Sequence, residues 1–157
     1  MPSSPFKASR AYVTTGLETT VADASPEQLI VMLHNGLIES LLRARLALGE
    51  GRIAAKGEAI SKSLAILTEG LMPALDLEQG GEIAGNLAAL YEYMVTRLML
   101  ANLQNDVDHL DEVTRLVNEL RGAWEQLAVK STVRPAMVVP MEPAAAGPRA
   151  GLSLGAA

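Results

Sequence analysis

The chain has 157 residues, enough for one domain with a real core and too few for two. It is 49% hydrophobic but only 3% aromatic, a composition that favours packed helices over sheets. The 13 basic and 18 acidic residues leave a net charge of −5, and without a Lys/Arg cluster this argues against nucleic acid or an anionic membrane surface as partner.

Residues 1–24 read as a polar leader rich in Ser and Thr, with Phe6 and Tyr12 its only large aromatics. It has no apolar core of a secretory signal, and no apolar run approaches the ~20 residues of a membrane helix. There is no cysteine, so no disulfide framework and no thiolate nucleophile. These features place the protein in the cytoplasm by default.

Ser25-Pro-Glu-Gln28 is a strong helix start. Ser25 caps, Pro26 tolerates the first helical position because its missing N–H would be unpaired there, and Gln28 completes a capping box. Leu29, Leu33, Leu37, Leu41, Ala44 and Leu48 form a core stripe that Gly49-Glu-Gly51 ends. Ile30, Ile38 and Leu42 add a second apolar row. A second helix is expected over 54–72, with Ile60, Leu64, Leu67 and Leu71 inward and Pro73 preventing continuation.

The third helix is expected from near Gly81 to near Asn105, roughly 37 Å at 1.5 Å per residue. Ile83, Leu87, Leu90, Met94 and Ala101 suggest a buried stripe, and Ala84, Tyr91, Leu98 and Asn102 a second row beside it. One row serves a bundle core, and the other is surplus apolar surface of the kind that awaits a partner. Tyr91 and Tyr93 point about 200° apart, so they cannot both face one seam. Asp106-Val-Asp108 offers a cap for a fourth helix, whose Val113, Val117, Leu120, Trp124 and Leu127 make a heptad seam. From about residue 130 onward the Pro, Ala and Gly content reads as a mobile tail. The organisation is therefore a leader over 1–24, an antiparallel four-helix bundle over 25–129 and a disordered tail over 130–157, an all-α fold.

No constellation for chemistry emerges. The two histidines, His34 and His109, do not follow a glutamate by three, as a di-iron bundle would require. Asp106, Asp108, Asp111 and Glu112 lack the glycine and spacing of a calcium loop and read as helix-start charges. Gly80-Gly81 has neither a following Lys-Ser/Thr nor a preceding strand, so it is a junction and not a phosphate cradle. His34 reads as a boundary residue. No catalytic, cofactor-binding or metal-binding residue is assigned, and no small-molecule substrate is expected.

In order along the chain, the lone Tyr12, the first-helix opening Ser25-Pro-Glu-Gln-Leu-Ile-Val-Met-Leu-His-Asn-Gly36, Lys62 with Ile66 and Leu67, Leu75-Asp-Leu-Glu-Gln-Gly-Gly-Glu-Ile-Ala84 with Asn86-Leu87, Leu90-Tyr-Glu-Tyr-Met94, Ala101-Asn102 and Val113 to Trp124 resemble the flagellar secretion chaperone family FliS. The resemblance covers roughly residues 10–128. The family commonly has Tyr-Asp before the first-helix glycine, where this chain has His34-Asn35, and the segment from Val133 has no counterpart in the pattern.

The resemblance implies a non-enzymatic cytoplasmic chaperone. Its client would be the C-terminal segment of flagellin, kept from premature polymerisation and passed to the flagellar export gate at the membrane. It also implies that the leader lies over the client site. Together with the surplus rows, this makes Tyr12, Ile30, Leu33, Leu37, Leu67, Leu87, Leu90, Tyr91, Met94, Leu98 and Asn102 the candidate partner-binding residues. The alternative reading is a structural or regulatory bundle that buries its second rows against another copy of itself.

Overall fold

The computed structural model describes the backbone of residues 23–138 and the side chains of residues 23–130. Among the described residues the chain forms four helices and no strand. Helix α1 spans Pro26–Gly49. Helix α2 spans Ile53–Ala65 and continues without a break through a π turn, Ile66–Leu71, into a last α turn, Met72–Ala74. Helix α3 spans Leu77–Gln104, and α4 spans Val107–Val138.

The helix ends follow from local chemistry. Ser25 Oγ accepts from the Gln28 backbone N–H at 3.1 Å while Gln28 Oε1 accepts from the Ser25 N–H at 2.7 Å, so two of the orphan donors of α1 are satisfied reciprocally. Asp76 caps the first turn of α3 by accepting from Gln79 N–H. That turn then breaks at Gly81, whose φ of 57° and ψ of −133° suit a residue without Cβ, and the long regular part of α3 starts after it. Asn105, in the left-handed region at φ 53°, stops α3, an assignment Asn tolerates better than most side chains.

Two boundaries differ from expectation. The second helix does not stop at Met72, because Pro73 sits at the second position of a fresh turn after the π segment, where its absent N–H is no loss. The fourth helix runs past residue 129 and through Pro135 to Val138, since one proline removes one backbone bond without unwinding the turns that precede it. The remainder of the expected tail, 139–157, and the leader through residue 22 with Tyr12 lie outside the described residues.

Packing is antiparallel, with α1 beside α2 and α4, and α3 closing the bundle against α2 and α4. The core is aliphatic: Leu37, Leu41 and Ala44 from α1, Ile60, Leu67 and Leu71 from α2 and its π turn, Ala84, Tyr91, Met94, Leu98 and Ala101 from α3, and Leu110, Val113, Val117 and Trp124 from α4. Each fully buried Leu contributes on the order of 1.5–3 kcal/mol of transfer free energy. Gly70 marks where the π turn comes closest to α1, since a Cβ there would meet a Leu33 methyl at 3.3 Å. One buried polar pair spans two helices, where Ser40 Oγ and Ser63 Oγ meet at 2.6 Å between α1 and α2.

Candidate functional site

The central question is which apolar row of α3 faces the core, and the answer draws on both rows. Ala84, Tyr91 and Leu98, read as the surplus row, are completely buried. Of the row read as core, only Met94 and Ala101 are buried; Leu87 and Leu90 are half-buried and Ile83 is 64% exposed. The buried residues Ala84, Tyr91, Met94, Leu98 and Ala101 follow one heptad seam that runs between the two rows, with Leu87 half-buried at its edge.

Burial divides the candidate residues. Ile30, Leu37, Leu67, Tyr91, Met94 and Leu98 lie inside the bundle and offer no surface to a partner docking on it. Leu33, Leu87 and Leu90 pack against the core yet keep part of their surface in solvent. Asn102 is exposed, but its carbonyl and Oδ1 accept hydrogen bonds from Lys56 Nζ at 2.9 and 2.8 Å. His34, expected at a boundary, is fully buried: its Nδ1–H donates to the Ile30 carbonyl at 2.8 Å and its ring lies 6.4 Å from that of Tyr91. Burial pushes the His34 imidazole below its ordinary pKa, and burial also pushes the Tyr91 phenol up. Tyr93, the opposite-facing tyrosine, is on the surface as its 200° offset demands.

Two apolar patches remain open on α3. The first gathers Ile83, Leu87 and Leu90 at the end of the bundle where α1 begins. Leu33 lies at that end too, seated against Gly70 of the π turn. The second consists of Met99, 58% exposed, and Leu103, 79% exposed, near the other end of α3. Ile53, half exposed at the start of α2, is at this second end because Lys56 ties α2 to Asn102 there. Ile83 and Leu103 are roughly 30 Å apart along the axis and about 160° apart around it. Sequence reasoning overlooked Met99 and Leu103. The available signal was that two large apolar residues fall outside both rows of the same helix, where solvent is the default neighbour.

The charged groups near these patches have structural partners. Glu112 of α4 accepts from Tyr93 Oη at 2.6 Å and pairs with Arg97 at 2.6 Å, and the Tyr93 hydrogen bond, above all, holds its carboxyl below the usual range. Asp111 is taken by Arg45 of α1, and Asp106 accepts from the Asp108 backbone N–H as a helix-start cap. Among the described residues no three His, Asp or Glu side chains gather as a metal would need, and no helix is long and apolar enough to cross a membrane.

Comparison with known proteins agrees with the resemblance seen in the sequence. The sequence model of a family described as flagellar protein FliS matches residues 8–131. The flagellar secretion chaperone FliS of Salmonella typhimurium is 47% identical over 123 residues, covering 78% of this chain and 91% of that protein. The flagellar secretion chaperone FliSB of Pseudomonas aeruginosa is 44% identical over 123 residues, 78% of this chain and 97% of that one. FliS of Bacillus subtilis is 32% identical over 109 residues, 69% of this chain and 80% of the relative.

Proposed function

The chain belongs to the FliS family of flagellar proteins, whose members are secretion chaperones and not enzymes, and from that premise we propose that its client is the C-terminal segment of flagellin. The protein binds this segment in the cytoplasm, keeps it from assembling early and delivers it to the flagellar export gate. One observation carries the reading: α3 exposes Ile83 and Leu103 on nearly opposite sides of the helix and at opposite ends of the bundle. A compact partner meets one such patch. A segment that is disordered when free and folds as it wraps the bundle meets both, and the apolar area it buries offsets the cost of ordering it.

Within this proposal Leu33, Leu87 and Leu90 contribute their open flanks to the first patch, with Ile83 at its centre, and Met99 and Leu103 form the second. Buried candidates such as Leu98 and Tyr91 act indirectly, by setting the rotation of α3. Tyr12, on the leader, covers part of the client surface, so that deleting residues 1–16 changes flagellin affinity several-fold without unfolding the bundle.

Ile83→Glu and Leu103→Glu test the reading. Each should weaken calorimetric binding of the flagellin C-terminal peptide, and the double variant should weaken it further, while helical content stays unchanged. If only one patch matters and the protein is a tight dimer through it, the self-associating bundle replaces the chaperone reading.

A further inference from the structure

A shallow groove of about 450 Å³ lies between the start of α1 and the later part of α4. Gln28, Val31 and Met32 form its α1 wall, and Glu125, Ala128 and Val129 its α4 wall. Val129 is 62% exposed, so apolar surface stands open here beside Val31, which packs against the core. Among the described residues Glu125 at the rim makes no ion pair.

We propose that this groove is the docking site for the chain's own residues 139–157, seated through Leu152 and Leu154 with Arg149 against Glu125. Three observations select that occupant. The family match ends at residue 131, whereas α4 runs on to Val138, so the segment that follows lies outside the match and leaves from the helix that forms one wall of the groove. The distances suit it: Val138 lies nine residues beyond Val129, about 14 Å along the helix. The fourteen residues from Val138 to Leu152 reach up to about 46 Å when extended, ample to turn back.

The chemistry also fits. Residues 139–157 carry two charges, Glu142 and Arg149, and their only large apolar side chains are Val139, Met141, Leu152 and Leu154. A spacing of two lets an extended segment present both leucines to one surface, and the glycines and alanines around them let the backbone come close. Tethering supplies an effective concentration of order millimolar, so a shallow apolar groove suffices.

The chain has no native cysteine, so a spin label at Ser153→Cys is unique, and methionine methyl labelling reports Met32 inside the groove and Met94 in the core. Expected is loss of most of the Met32 signal, with Met94 much less affected. A chain ending at Val138, and the full chain carrying Leu152→Ser with Leu154→Ser, should shift the Met32 resonance to one common new position. A Met32 signal that survives the label, or an unchanged Met32 position on truncation, overturns the proposal. So does broadening of Met32 in an unlabelled chain mixed with a labelled one, which would make a second copy the occupant.

Discussion

Lys56 of α2, only 2% exposed, donates from Nζ to both the carbonyl and the side-chain oxygen of Asn102 on α3, at 2.9 and 2.8 Å. Among the described residues no carboxylate is its partner, so a buried ammonium is held by two neutral oxygens near the negative end of the α3 dipole. The contact fixes the far end of α3 against α2, and so sets where Met99 and Leu103 stand.

The pair should respond asymmetrically to substitution. Asn102→Ala leaves the buried ammonium with one acceptor and should cost about 1–3 kcal/mol, read from the urea midpoint. Lys56→Met removes the charge but keeps the length of the side chain, and Asn102 can turn to water, so it should be nearly neutral or stabilising. Equal losses would mean that packing, and not the ammonium, sets the cost.

The two faces of α3 give a second contrast. Leu98→Glu places a charge in a fully buried site and should destabilise the bundle by several kcal/mol. Ile83→Glu, on the exposed patch, should stay within about 0.5 kcal/mol of the parent. Chemical denaturation of both variants decides it, and a cooperative, parent-like transition for Leu98→Glu contradicts the assignment.

That contrast also marks what the sequence could and could not disclose. Ser25 with Gln28, and Val113 with Val117 and Trp124, were legible because a capping box depends on neighbours in sequence and a heptad seam on its own period. The choice between Ile83 and Ala84 as inward residues was harder, because the larger Ile83 competes with the small Ala84 for the start of the seam that Tyr91, Met94, Leu98 and Ala101 continue. The π turn of α2 was equally hidden, since a single wider turn leaves almost no trace in spacing. His34 was misjudged because its one strong partner is a backbone carbonyl one turn earlier, which lets an imidazole sit fully inside.

His34 predicts a pH dependence. Its folded-state pKa lies below the ordinary 6.5 because burial disfavours the charged ring. The unfolded chain therefore takes up a proton first as the pH falls. The stability contribution is fully present above about pH 6.5 and is lost progressively below it, down to the folded pKa. Arg121 on α4 adds to the shift as a like charge, and Tyr91 faces the ring from α3. Denaturant midpoints at about pH 5 and pH 8 should differ more for the parent than for His34→Gln. An unchanged difference would assign the acid sensitivity to other groups.

The exposed pair of Arg45 and Asp111, at 2.6 Å, joins α1 to α4 but remains about half in solvent. Asp111→Asn should therefore lower the melting temperature only slightly, and the loss should shrink in high salt. Thermal unfolding at two ionic strengths checks this.

Calorimetric titration of the full chain with flagellin, intact and lacking its C-terminal segment, tests the central claim most directly. One-to-one binding of intact flagellin, abolished when the segment is removed and weakened several-fold by Ile83→Glu with Leu103→Glu, is the expected result. Binding that survives removal of the segment, or that ignores both substitutions, would contradict it.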